Sequence, residues 1–172
     1  MFAEAADKLG GIDIAVINAA IAAEGLSDMS AEEVRYAIAT DFTAYLMSAH
    51  AAVQHFGDAP GDIVLIGSMS AHVLGPGSTV YAGIKAGIAG FSEALRRELG
   101  DKDIKVSLVE PGKTGADMQL PDISPEEQRE AINEETMLRA EDIAVGVHYL
   151  LTQPRRAVVQ QLTIVPRAQT GE

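Results

Sequence analysis

Short runs of β-branched residues alternate along this chain with longer stretches of helical period. The runs are Ile12–Ile17, Asp62–Ile66, Ile104–Val109 and Val158–Val165. Between them, Ser30 to about Phe56, about Thr79 to Leu99, and about Ala140 to Thr152 place apolar residues at i, i+3 and i+4. Strands that alternate with helices of this length need crossover connections, so the pattern predicts an α/β chain with a mostly parallel sheet covered on both faces. The first two runs are nearly continuous in apolar residues, which predicts strands buried on both sides. The later two alternate more, which predicts positions nearer an edge.

The punctuation agrees with these boundaries. Ser30 followed by Glu33 is a capping box, and Gly57 is a stop for the same helix. Residues 113–139 lack the pattern, are rich in acids and contain Pro121 and Pro125, so a long charged connection is expected there. The length of 172 residues suits one domain spanning 1–172. Thirteen Lys and Arg against 25 Asp and Glu give a net charge of −12, which opposes binding to phosphate backbones or anionic lipid, so neither nucleic acid nor a membrane surface is an expected partner. There is no cysteine, and hence no disulfide framework or thiolate nucleophile. The His50/His55 spacing misses that of helical metal ligands, and no metal site is expected. Acids where a signal peptide carries bases, and no apolar run near the roughly 18 residues of a membrane span, predict a soluble cytoplasmic protein.

In an open parallel sheet, ligands bind at the carboxyl ends of the strands. Those ends carry Asn18-Ala19-Ala20, Gly67-Ser68-Met69-Ser70 and Glu110-Pro111-Gly112-Lys113-Thr114. The helix after the second strand contains Tyr81 and Lys85, four apart and therefore one turn apart on one face. A free phenol is a poor acid–base catalyst at neutral pH, and a neighbouring ammonium favours its phenolate. Ser68 ends the preceding strand, where its hydroxyl can bond the same substrate oxygen.

Taken together these segments resemble the short-chain dehydrogenase/reductase family. Asp13-Ile14-Ala15-Val16-Ile17-Asn18-Ala19-Ala20 is similar to its Asp-x-x-x-Asn-Asn-Ala-Gly stretch, Ile63–Ser68 to its catalytic-serine strand, Tyr81-x-x-x-Lys85 to its signature, and Pro111-Gly112 to its Pro-Gly turn. The ending from Gln153 to Gln169 is similar to the family's C-terminal strand. The resemblance implies a three-layer Rossmann-like sandwich, here a truncated parallel sheet of about four strands with helices on both faces. It implies NAD- or NADP-dependent exchange between a small-molecule alcohol and a carbonyl. Tyr81 would be the general acid/base, Lys85 would tune it and hold the nicotinamide ribose, and Ser68 would orient the substrate oxygen. Asn18, Ala19, Ala20, Pro111, Gly112 and Thr114 would line the cofactor, with Ser70 and Met118 toward the substrate; His72, four residues after Ser68 in a strand-end loop, is expected to border the substrate by that position. Asp41 stands where the family usually has the Asn that completes its catalytic set, and is expected to pair with Lys85. The resemblance also implies a homodimer or homotetramer assembled through helices 30–56 and 79–99, and the spacing of Gly83, Gly87 and Gly90 predicts a small-residue face for close helix packing at a subunit contact.

The sequence departs from the family at its beginning. The family's glycine-rich turn follows a first strand that precedes the Asn-Ala-Gly strand by roughly 70 residues of βαβ structure. Only eleven residues precede Ile12 here, and no such turn occurs. The expectation is that the first three strands are absent and that these residues alone bind the dinucleotide weakly or not at all. Two other readings are weighed: a cofactor-free pseudoenzyme or oligomerisation module, and a hydrolase using Ser68 as nucleophile with Tyr81 and Lys85 as base. Against the latter, Gly67-Ser68-Met69-Ser70-Ala71 lacks the register of a Gly-x-Ser-x-Gly elbow.

Overall fold

The computed structural model describes residues 2–120 and 122–168, so Pro121 and Gln169 lie outside the described residues. The chain runs α1 (Phe2–Leu9), β1 (Ile14–Ile17), α2 (Ala31–Ala37), a π-helical segment (Ile38–Thr43), α3 (Ala44–Phe56), β2 (Gly61–Ile66), α4 (Thr79–Leu99), β3 (Ile104–Pro111), α5 (Pro125–Asn133), α6 (Ala140–Leu151) and β4 (Gln161–Ile164). The four strands form one parallel sheet in the order β1-β2-β3-β4. Residues from α3 and α4 bury one face in a core that includes Tyr45, Ala49, Ile63, Leu65, Ile88, Val106 and Leu108. Leu150 of α6, with Ile143 and Val147, covers Val64, Ile66 and Val109 on the other face. The result is the helix–sheet–helix sandwich that the alternating pattern implies.

The edge and centre of the sheet differ from the sequence expectation. The continuous apolar run of β1 forms an edge, with Ile14 and Val16 exposed at 43% and 47%. The more polar β3 is buried along almost its whole length, including Lys105, Ser107 and Glu110. Polarity misled here because these side chains meet partners inside the fold. Lys105 pairs with Asp62 at 3.0 Å and donates to the Gln153 carbonyl, and Arg155 joins the same cluster through Asp62 and Asp103. Buried charges are tolerated when paired in this way. The fourth strand is also shorter than its β-branched run, since only Gln161–Ile164 pairs with β3.

Two helical segments depart from expectation as well. The single helix expected over 30–56 begins at the Ser30–Glu33 capping box, but it widens to π geometry over Ile38–Thr43 before resuming as α3. Gly57 ends it in a conformation with φ +58°, which L side chains rarely adopt. The connection 113–139 contains α5, opened by a second capping box from Ser124 and Glu127 with Pro125 in the first turn.

Packing at the start of β2 is close enough to test. A Cβ on Gly61 would stand 2.5 Å from Cδ2 of the buried Phe56 ring. Displacing a packed ring costs about 1–3 kcal/mol. Gly61→Ala is therefore expected to lower unfolding free energy by about that amount, read as an earlier urea midpoint with an unchanged slope. An unchanged midpoint would show that the ring moves freely.

Candidate active site

The carboxyl ends of β1, β2 and β3 converge on one cavity of about 660 Å³. Its walls include Asn18 and Ala20 from the loop after β1, Ser68 and Ser70 from the loop after β2, Tyr81 and Lys85 from α4, and Pro111, Gly112, Thr114 and Met118 after β3. Thus ten of the residues singled out in the sequence share a wall. Ala19, Asp41 and His72 do not line it.

The helical spacing of Tyr81 and Lys85 has the consequence expected of it. Lys85 Nζ stands 5.4 Å from the centre of the Tyr81 ring and 5.1 Å from that of Tyr45, a buried residue of α3. Both aromatic faces attract the ammonium. Lys85 also donates to the Ile66 carbonyl at 3.2 Å, and the Tyr45 hydroxyl donates to that same oxygen at 2.9 Å. Only 2% of Lys85 is exposed, and burial pulls its pKa down to about 8. The negative charge of Asp41 acts the other way.

Asp41 is placed differently from expectation. It forms no ion pair with Lys85. Its Oδ1 instead accepts the Ile21 N–H at 2.8 Å, which ties the π-helical segment to the loop after β1. Its Oδ2 is buried and has no hydrogen-bond partner. Burial accordingly raises the Asp41 pKa, against the lowering effects of the Ile21 N–H and Lys85. A π-helical widening inside an α-helix is often found at functional sites, and here it carries a fully buried acid toward the site.

The phenol also departs from expectation. Burial raises the pKa of Tyr81; the neighbouring Ser68 hydroxyl lowers it, and Asp41 raises it again. Desolvation therefore outweighs the Ser68 hydroxyl. Ser68 Oγ donates to Ser70 Oγ at 3.1 Å and accepts the Ser70 N–H. His72 turns away to the Glu110 carboxylate at 2.9 Å. Thr114 Oγ1 donates to the Gly112 carbonyl, and Gly112 N–H is held by Ile164 of β4, so the turn after β3 is fixed at both ends. Of the helix glycines, Gly87 packs within the chain against the Phe42 ring, while Gly83 and Gly90 face open space.

A family model described as short chain dehydrogenase matches residues 1–127. The chain belongs to the short-chain dehydrogenase family. It is 39% identical over 113 residues to a 3-oxoacyl-[acyl-carrier-protein] reductase of Chlamydia muridarum, a match covering 64% of this chain and 46% of that protein. It is 28% identical over 165 residues to an uncharacterised oxidoreductase of Staphylococcus aureus strain USA300, covering 94% of this chain and 68% of the relative. Its fold matches a crystal structure of a dehydrogenase/reductase from Sinorhizobium meliloti 1021 with a TM-score of 0.80 and 32% identity, over 95% of this chain and 66% of that one. A short-chain dehydrogenase from Burkholderia cenocepacia J2315 in complex with NADP gives a TM-score of 0.79 at 28% identity, over 96% and 69% of the two chains. The chain thus spans between about half and two-thirds of the length of these family members.

Sequence reasoning missed Tyr45 and Glu110. Glu110 leaves a visible signal, an acid closing an otherwise buried strand before Pro111-Gly112. Tyr45 leaves none, since a tyrosine on an apolar helix face reads as core.

The charge on Asp41 reaches Lys85 through space, and the pair can be separated experimentally. Asp41→Asn keeps the oxygen that accepts the Ile21 N–H but removes the charge that favours the ammonium. The Lys85 titration, followed by NMR of the isotopically labelled side chain, is expected to move from about 8 to lower pH. An unmoved titration would show that the two groups are not coupled. In the wild type the native pKa of about 8 lies below the ordinary 10.5, so between those values the unfolded chain holds a proton that the native one has released. This group's contribution to stability therefore rises with pH across that window.

Proposed function

We propose that the cavity reduces a carbonyl group on a small molecule, or oxidises the corresponding alcohol, with Tyr81 exchanging the proton. The observation that carries this reading is the buried Lys85 ammonium beside Tyr81 on the wall of a cavity that Ser68 also lines. With its pKa raised by burial, Tyr81 holds the proton that a developing alkoxide takes up, which favours reduction. Ser68 can offer the same oxygen a hydrogen bond once its hydroxyl turns from Ser70. In the reverse direction Tyr81 must be ionised, and its raised pKa moves that requirement to higher pH.

The residues present fit the nicotinamide end of an NAD(P) cofactor. Lys85 spends one of its three N–H donors on Ile66, leaving two for ribose hydroxyls. Asn18, Ala20, Pro111, Gly112 and Thr114 would form the remaining wall against the ring and its carboxamide. Such a cofactor, when bound, supplies or accepts the hydride. The glycine-rich turn expected ahead of the Asn-Ala-Gly strand does not occur in these 172 residues, so weak binding of the dinucleotide by them alone is part of this proposal. The solved relative bound to NADP supports the cofactor class.

The hydrolase reading, with Tyr81 and Lys85 as base for Ser68, is not favoured, because Ser68 Oγ donates to Ser70 and Lys85 donates to the Ile66 carbonyl. Association through the two long helical segments is compatible with catalysis. It is supported by exposed Tyr36 and Met47 and by the open Gly83 and Gly90.

Titration of NADPH fluorescence with this chain is expected to half-saturate well above the low-micromolar range. Low-micromolar affinity would contradict the assignment of weak binding. Tyr81→Phe is expected to leave that affinity in place and to cut carbonyl reduction about 100- to 10,000-fold, the usual worth of a positioned proton donor. Undiminished turnover in Tyr81→Phe would remove Tyr81 from the reaction.

A further inference from the structure

A second buried polar cluster lies behind the wall of the cavity. Glu110, one residue before the end of β3, is 0% exposed. Both of its carboxylate oxygens lie 2.9 Å from His72 Nε2, and Gln161 Nε2 of β4 donates to Oε2. A carboxylate withdrawn from water costs several kcal/mol unless donors replace the solvent. Here the donors reach it from two directions, one from the neighbouring strand and one from the loop that follows β2. Facing two acceptor oxygens, His72 Nε2 carries its hydrogen, which fixes the tautomer.

That loop also carries the site's hydroxyls. Ser68 caps a short 3-10 turn over Met69–Ala71, and His72 closes it. The Ala71 N–H donates to the Ser68 carbonyl, and the His72 and Val73 N–H groups donate to that of Met69. Ser68 Oγ accepts the Ser70 N–H. A hold on His72 is thus transmitted through one turn to Ser68 and Ser70. The His72 side chain is 48% exposed, so contact with Glu110, not burial, keeps it in place. The stem of Glu110 runs directly beneath the start of the loop, because a Cβ on Gly67 would stand 3.2 Å from its Cγ.

We propose that Glu110 is a positioning residue: by gripping His72 it fixes the Met69–Ala71 turn and so sets where the Ser68 and Ser70 hydroxyls stand relative to Tyr81. It acts through His72 and does not line the cavity. The effect on turnover rests on the carbonyl-reducing reading above, whereas the grip on the loop does not.

The test uses the full chain with His72→Ala, His72→Gln, Glu110→Gln and the double variant His72→Ala/Glu110→Gln. In His72→Ala, hydrogen exchange at the amides of Ala71, His72 and Val73 is expected to accelerate about tenfold or more, while β2 and β3 amides keep their protection. His72→Gln supplies an N–H donor in place of the imidazole and is expected to restore much of the protection. The double variant is expected to exchange no faster than His72→Ala, because both changes break one link. In turnover, His72→Ala raises KM for the carbonyl compound several-fold with unchanged NADPH affinity. Unchanged loop exchange in His72→Ala, or additive effects in the double variant, would overturn the proposal. So would faster exchange with an unaltered KM. Faster exchange together with no turnover even in the wild type would uphold the grip and refute the carbonyl-reducing reading instead.

Discussion

At the end of β2 the Ile66 carbonyl accepts hydrogen bonds from both the Lys85 ammonium and the Tyr45 hydroxyl. An ammonium with 2% exposure and no carboxylate in contact is held by this oxygen, by two aromatic faces and by the more distant charge of Asp41. Each holder comes from a different element. Tyr45 needs α3 against the sheet, Asp41 needs the π-helical segment, and Tyr81 needs α4 one turn away. The sandwich can therefore be understood as the frame that keeps one cation dehydrated at a strand end. Removing water there strengthens every remaining electrostatic contact, which is what a proton-transfer site requires.

The two buried acids serve different loops. Asp41 secures the loop after β1 through the Ile21 N–H, and Glu110 secures the loop after β2 through His72. Both loops contribute walls to the same cavity. Asp41 keeps one oxygen without a partner, while Glu110 has donors on both. The first acid is therefore tuned mainly by burial, while the second is held in place by direct hydrogen bonds. A site whose walls are loops anchored to buried carboxylates can be precise without being rigid throughout.

Much of this was legible in the residues themselves. The β-branched runs located all four strands, and the four-residue spacing of Tyr81 and Lys85 brought both to the cavity. The order of burial was not legible, because Lys105, Ser107 and Glu110 lower the apolar character of β3, although partners from distant parts of the chain bury it. The π-helical segment leaves the apolar period almost unchanged, so Asp41 looked like a partner for Lys85 when its carboxylate in fact reaches Ile21. Helix α5 was signalled by Ser124, Pro125 and Glu127, but its acid-rich surroundings read as a solvated connection. His72 was expected beside the substrate from its distance to Ser68 alone. Its true partner lies 38 residues further on, beyond the reach of local spacing.

The central claim is that the dehydrated Lys85 cluster makes this cavity an oxidoreductase site. The most direct measurement follows deuterium from nicotinamide-deuterated NADPH into small carbonyl compounds, with chain and cofactor at high concentration to offset weak binding. The account predicts deuterium on the carbinol carbon of the product with the wild-type chain and its loss in Lys85→Met. Absence of transfer to every carbonyl at saturating cofactor, or undiminished transfer in Lys85→Met, would contradict it.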